Sequence, residues 1–329
     1  MEPVRWGVLG VSSHYIRRVH LPAQGSTVST ITAIASRSGE RAQNAASELG
    51  IAQAYPSYAE LLADDSIEAV YIPLPNTEHL EWIKRAADAG KHVLCEKPLG
   101  MDSAEVEEAI GYTGAHGVLL MEAFMYRFHP LWIRAKELVS IGEIGAVRAV
   151  HVTFFYDNPD PSNIRNIAEL GGGGLRDIGC YAVSASRYLV GREPTRVLSA
   201  IVRDSEFGTD ALSTGVLDFG DAHATFSVGT RSYPEQTVAV TGTAGAIVID
   251  LPFNIYPDVP VGLRVTNKIG TRDIMTGPAD QYRLQFDAFS RAVRDGRSAP
   301  TAVHDALRNQ KVVDALFRSE NTGTWQSLE

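Results

Sequence analysis

A lysine before a proline, and a carboxylate four residues ahead of a phenol, are the side chains of this 329-residue sequence best suited to proton chemistry. The lysine stands in Ala89-Gly90-Lys91-His92-Val93-Leu94-Cys95-Glu96-Lys97-Pro98, just where the apolar run His92 to Cys95 ends. Ligands of open parallel sheets collect at such strand ends. There Lys97 can donate to a substrate hydroxyl or stabilise a developing oxyanion. Pro98 restricts the residue before it, which would fix the lysine's direction. Taken alone, the triplet also fits a surface turn. The second group is Gly171-Gly172-Gly173-Gly174-Leu175-Arg176-Asp177-Ile178-Gly179-Cys180-Tyr181. On a helix Asp177 and Tyr181 share a face. A carboxylate orienting a hydroxyl beside a phenol that exchanges its proton is workable alcohol–ketone chemistry. The plainer alternative is that Asp177 caps the helix and Tyr181 is a buried core residue.

Such chemistry needs a hydride carrier, and Gly7-Val8-Leu9-Gly10-Val11-Ser12-Ser13 is the candidate phosphate loop. Glycine at a strand-to-helix turn lets backbone amides approach a pyrophosphate. Aligned on Gly10, the pattern G-x-G-x-x-G reads Gly10, Ser12 and Tyr15, so an ordinary turn stays open beside nucleotide binding. The next strand ends Ala35-Ser36-Arg37-Ser38, without the acid that binds the ribose hydroxyls of NAD. Arg37 with its serines instead suits a 2′-phosphate, which favours NADP over NAD; a solvated surface charge is the alternative. His14, His20 and His151 lack neighbouring ligands at metal-binding spacing, so no metal is expected. Cys95 and Cys180 read as small buried apolar residues rather than nucleophiles.

The elements that must position these groups change in kind along the chain. Up to residue 122, short apolar runs (Val4 to Leu9, Ile31 to Ala35, Ala69 to Ile72, His92 to Cys95, Val118 to Met121) alternate with helix-like segments. That alternation predicts a doubly wound parallel sheet over residues 1–122. Gly90 stands where the helix ending near Ala89 needs a C-terminal glycine. Over 123–329 the strand candidates are Val147 to Tyr156, Thr195 to Val202, Leu212 to Phe219, Ala222 to Gly229, Gln236 to Thr241 and Ala246 to Leu251. With few helices between them, they predict a second α/β domain with one large, mostly antiparallel open sheet. Tyr282, Phe286, Phe289 and Val293 fall at helical spacing.

Composition narrows the function classes. Hydrophobic residues at 44% and charged residues at 21% describe a globular protein, and a net charge of −9 disfavours nucleic acid or an anionic membrane as partner. The N-terminus lacks the pattern of a signal peptide, and no apolar stretch reaches the ~20 residues of a membrane span. With only two cysteines, a reducing cytoplasmic location is expected.

Gly7-Val8-Leu9-Gly10, the triplet Glu96-Lys97-Pro98, the segment Met121-Glu122-Ala123-Phe124-Met125-Tyr126-Arg127-Phe128-His129-Pro130 and the Asp177/Tyr181 segment occur in that order. Together they resemble the Gfo/Idh/MocA oxidoreductases over essentially the whole length. The likeness is to the branch of NADP-dependent D-xylose dehydrogenases, dimeric dihydrodiol dehydrogenases and glucose-fructose oxidoreductase. It implies an N-terminal Rossmann domain and a C-terminal α/β domain for substrate binding and oligomerisation, as a homodimer or homotetramer. It implies that Lys97 contacts the reacting oxygen, that Tyr181 exchanges the proton, and that Asp177 orients the substrate. Glu96 and Pro98 would line the nicotinamide pocket. Leu74, Pro75, Asn76 and His79 match a loop passing close to the cofactor, joining Gly10, Ser12, Ser13, Ser36, Arg37 and Lys97 as cofactor-binding residues. Arg127, Phe128 and His129 would lie near the substrate, although a histidine before proline at a helix start also serves as a structural hydrogen bonder. His14-Tyr15 departs from the small residues usual in the first loop.

The expected activity is therefore an NADP-dependent hydride transfer at a carbinol or carbonyl carbon of a cyclic sugar or diol. A nucleotide-sugar 3-ketoreductase is the alternative; its diphosphate would need a basic rim, for which Arg165, Arg176 and Arg231 are candidates. A non-catalytic NADP-binding sensor or scaffold is the rival of another class, and the Lys97, Asp177 and Tyr181 set argues against it.

Overall fold

Strands buried on both faces read as unbroken apolar runs, and Ala69-Val70-Tyr71-Ile72 is buried at every position. The computed structural model describes residues 2–328. Its first sheet contains β1 (Val4–Leu9), β2 (Ser29–Ala35), β3 (Gln53–Tyr55), β4 (Ala69–Ile72), β5 (His92–Cys95) and β6 (Leu120–Glu122). All pairings are parallel, in the order β3-β2-β1-β4-β5-β6. The strand order reverses beside β1, which makes the carboxyl ends of β1 and β4 the ligand edge of this architecture. Local sequence sets the intervening helices. The Ser38 side chain accepts from the Arg41 amide to cap helix Gly39–Leu49, and Asp102 does the same for helix Ser103–Ala115. Helix His79–Asp88 stops at Ala89, and Gly90 follows at φ +67°.

The second sheet holds β7 (Val147–Asp157), β8 (Arg196–Arg203), β9 (Asp210–Asp218), β10 (His223–Gly229), β11 (Arg231–Gly242), β12 (Gly245–Ile249), β13 (Val261–Asn267), β14 (Gly270–Thr276) and β15 (Gln326–Ser327). Their order is β14-β13-β12-β11-β7-β10-β9-β8-β15, antiparallel throughout except where β7 meets β10. Val150, Val152 and Phe154 of β7 and Val238 and Val240 of β11 form a buried face. Helix Cys180–Val190 contacts β7 on this sheet, with the Tyr181 ring 5.9 Å from that of Phe154. The hairpin of β13 and β14 was not among the strand candidates: β14 is largely exposed with little apolar alternation, although Val261, Leu263 and Val265 of β13 do alternate with small or polar residues.

The compact units are not divided by one cut at 122/123. Residues up to 125 group with 282–307, and 126–281 with 308–329. The physical reason lies in the apolar face of helix Gln281–Asp295. Phe286 and Phe289 put their rings 4.7 and 5.5 Å from that of Trp6 on β1, while the Trp6 indole donates to Ser290 Oγ at 3.0 Å.

Candidate active site

At the end of β1 the chain turns through Gly10 at φ +123°, where a Cβ would lie 3.0 Å from Leu74 Cδ2. The positive φ calls for glycine, and the approach of Leu74 leaves little room for a side chain. Ser12 follows, its hydroxyl accepting from the Tyr15 amide at 3.1 Å, and Ser13 begins a helical turn. Tyr15 does not crowd this loop. Its side chain is fully buried, with its hydroxyl 2.8 Å from His20 Nδ1 in a π-helical stretch from Tyr15 to His20. His14 places Nε2 3.8 Å from Glu96 Oε1.

At the end of β2, Ser36 is buried and its hydroxyl accepts from the Ser38 amide. The Arg37 side chain is 77% exposed, and Nη1 is 3.6 Å from Glu78 Oε1. A surface pair of this kind is worth about 0–1 kcal/mol, so the guanidinium can exchange Glu78 for a phosphate. Arg41, which the sequence reading passed over, donates to the Val11 carbonyl at 2.6 Å and ties this rim to the turn after Gly10. Leu74 lies against Gly10, and Pro75 and Asn76 begin the short 3-10 turn Asn76–Glu78. His79 takes a different place from the one expected. It is fully buried, with Nδ1 2.9 Å from the Pro98 carbonyl and Nε2 3.0 Å from the Leu74 carbonyl. Burial lowers its pKa, while the two carbonyls pull the other way. It braces two site loops against each other from within.

Lys97 is held through its neighbours. Glu96 continues the sheet, its amide donating to the Ile72 carbonyl, and its carboxylate accepts from Tyr71 at 2.6 Å. The Pro98 carbonyl meets His79, and the Leu99 amide donates to buried Glu122 at 2.9 Å. Tyr71, His79 and Glu122 therefore fix the segment that carries the lysine. These bracing roles depend on contacts between distant positions, so the motifs that contain His79 and Glu122 do not reveal them.

In the second unit Asp177 lies in a π-helical turn, Leu175–Gly179, continuous with helix Cys180–Val190. It is not the helix cap. That role falls to Asp210, whose buried carboxylate accepts from the Leu175 amide and from the Ser213 hydroxyl. Asp177 Oδ2 instead accepts from the Tyr156 hydroxyl at 2.6 Å and from Arg165 Nε at 3.0 Å. Tyr181 is buried among the rings of Tyr126, Phe154 and Phe253, with centroids 5.2–5.9 Å away. Arg127 donates to Ser184 Oγ at 2.8 Å and lies over the Tyr188 ring, and Phe128 is half-buried beside it. His129 is fully buried and caps helix Pro130–Ser140, its Nδ1 accepting from the Leu131 amide. Burial pushes its pKa down to about 4. The capping bond gives it a structural role. Arg176 lies over the Phe317 ring and Arg231 pairs with Asp204 and Asp157, so like Arg165 each has a local partner. Cys95 and Cys180 are buried free thiols, and burial raises the pKa of Cys95.

Residues 4–124 match an oxidoreductase family with an NAD-binding Rossmann fold, and residues 132–248 match the GFO/IDH/MocA C-terminal domain. D-xylose 1-dehydrogenase (NADP(+)) 2 of Haloferax volcanii is 40% identical over 327 residues, spanning 98% of this chain and 99% of its own. A 3-ketoreductase from Actinomadura kijaniata, crystallised with NADP and TDP-benzene, superposes with a TM-score of 0.91 at 29% identity, covering 96% of this chain and 98% of its own. Aldose-aldose oxidoreductase from Caulobacter crescentus, complexed with glycerol, gives a TM-score of 0.90 at 28% identity and 99% coverage of both chains. With this coverage, and with a glycine turn at β1 and an anchored lysine at the end of β5, the chain belongs to the Gfo/Idh/MocA oxidoreductase family.

Proposed function

We propose that the protein is an NADP-dependent oxidoreductase acting on a carbinol or carbonyl carbon of a cyclic sugar or diol. The observation that carries this reading is the anchoring of Lys97. Its flanking residues are fixed by Tyr71, His79 and Glu122 at the ligand edge of a doubly wound sheet, an arrangement suited to holding a cation at a reacting oxygen. The residues at β1 and β2 fit the dinucleotide. Gly10 offers a close-approach turn, and Ser12 and Ser13 offer hydroxyls beside it. Ser36 and Arg37, with Arg41 beside them, offer hydroxyl and guanidinium donors to a 2′-phosphate. Leu74, Pro75 and Asn76, with Glu96 and Pro98, complete the cofactor set. NADP, when bound, supplies the hydride acceptor or donor. Lys97 stabilises the substrate oxygen, Tyr181 takes or returns its proton, and Asp177 orients the hydroxyl, with Arg127 and Phe128 nearby on the substrate side.

The same chemistry run toward reduction gives a nucleotide-sugar 3-ketoreductase, the reading favoured by the Actinomadura kijaniata likeness. Absorbance at 340 nm separates the two. Wild-type protein with NADP⁺ is expected to respond to D-xylose, D-glucose or a cyclic trans-diol. A flat trace with all three, together with NADPH consumption on a keto-sugar nucleotide, would move the assignment to the reductase. Tight NADPH binding with turnover in neither direction would leave a sensor.

We further propose a cytoplasmic homodimer or homotetramer formed through the second sheet. Leu198, Ala200 and Val202 of β8 alternate with its more buried residues, and Val202 and Leu212 are substantially exposed. A monomeric mass by light scattering would reject that association. Among the described residues no helix is long and apolar enough to cross a membrane.

A further inference from the structure

We propose that Tyr156 and Arg165 are positioning residues that fix the carboxylate of Asp177. The proposal rests on the reading of Asp177 as the substrate-orienting group and adds the device that aims it. Two donors from different elements converge on one oxygen of this carboxylate. Tyr156 follows Val150, Val152 and Phe154 in the strand alternation of β7, so its side chain leaves the sheet on the same face. Its hydroxyl donates to Asp177 Oδ2 at 2.6 Å. Burial, and after it the charge of Asp177, raise the pKa of this phenol, so it stays a donor across neutral pH.

Arg165 arrives from the loop after β7, and the glycine run holds that loop in place. The buried Asn166 amide donates to the carbonyls of Asn158 and Asp160 at 2.9 and 2.8 Å, closing the loop on itself. The Gly173 amide donates to the Arg165 carbonyl at 2.9 Å, and the Gly172 amide to that of Ile167 at 3.0 Å. A Cβ on Gly172 would stand 2.5 Å from the Arg165 carbonyl oxygen. The glycines thus bring the main chain of Arg165 against the turn that carries Asp177, and Arg165 Nε reaches Oδ2 at 3.0 Å. Two donors on one oxygen, one of them cationic, restrict rotation of the carboxylate. Such orientation matters because misplacement by about 1 Å can cost roughly 10²-fold in rate.

The test compares Tyr156→Phe, Arg165→Ala and Asp177→Asn, singly and with each positioning variant combined with Asp177→Asn. NADPH affinity and thermal unfolding serve as controls for folding. Tyr156→Phe and Arg165→Ala are each expected to lower kcat by about 10–100-fold, to change KM less, and to leave NADPH affinity unaltered. Guanidinium chloride at sub-denaturing concentration should restore part of the Arg165→Ala loss. In the Asp177→Asn background neither change should lower kcat further, because both act through that carboxylate. If Asp177→Asn retains wild-type turnover, the orienting role of Asp177 fails and this proposal with it. If Asp177→Asn is impaired while both single variants keep full kcat, or each exacts its full loss again in that background, the positioning role alone is overturned. Should Tyr156→Phe not fold, guanidinium rescue of Arg165→Ala decides: recovery supports the proposal, and none rejects it.

Discussion

The Arg37 guanidinium is mostly exposed and loosely paired with Glu78, so its replacement removes little from the fold and isolates its role in cofactor choice. Arg37→Ala is expected to weaken NADPH binding about tenfold or more, with NADH binding little changed, consistent with a charge-assisted contact of roughly 1.5–3 kcal/mol. Parallel fluorescence titrations with both cofactors check this, and an unchanged affinity ratio would leave Arg37 a surface charge. His129 makes a prediction about pH. Its folded pKa of about 4 lies below the ordinary 6.5, so between these values the unfolded chain binds more protons. The histidine's stabilising contribution is complete above pH 6.5 and is lost as pH falls toward 4. Asparagine also caps helices but does not titrate. Melting temperatures across that window should therefore fall more steeply for wild type than for His129→Asn. Parallel profiles would show that His129 is not buried neutral.

At the scale of elements, the glycine run and the helix it precedes were only partly legible. Four consecutive glycines allow something to approach the backbone closely. The structure shows what does: a Cβ on Gly173, at φ +118°, would collide with Asp210 Oδ1. Gly173→Ala should therefore cost more than about 2 kcal/mol, through backbone strain and displacement of the Asp210 cap. Gly208, at φ +68° with nothing within 4 Å of its Cβ position, is the control; there alanine should cost only about 1–2 kcal/mol. Urea titrations compare the two, and equal losses would contradict the packing argument. Strands β1, β4 and β5 were readable to the residue because burial on both faces leaves nearly unbroken apolar runs, interrupted only by Arg5 in β1 and His92 at the start of β5. β3, three half-exposed or exposed residues, carried no such signal. Lys97, Asp177 and Tyr181 stood out through local spacing. Tyr156, Glu122 and Asp210 did not, because each acts on a partner 21 to 35 positions away.

On the scale of the whole molecule, the chain closes its first unit with residues it reaches only after the second sheet. Helix Gln281–Asp295 supplies Phe286, Phe289 and Ser290 to Trp6, so a fragment ending at residue 125 would expose that indole and leave its N–H without this acceptor. Residues 1–125 expressed alone should show no cooperative thermal transition, whereas a fusion carrying 282–307 should regain one. A sharp transition in the shorter fragment would mean that the returning helix is dispensable. The proposed reaction makes a larger claim, that Lys97 and Tyr181 serve one hydride transfer. Its most direct test uses a sugar or diol deuterated at the carbinol carbon, followed by NMR of the nicotinamide. Wild type should deliver the label to nicotinamide C4. Lys97→Ala and Tyr181→Phe should slow that delivery by roughly 10²–10⁴-fold while still binding NADP. Label lost to solvent, or delivered at the wild-type rate by both variants, would contradict the account.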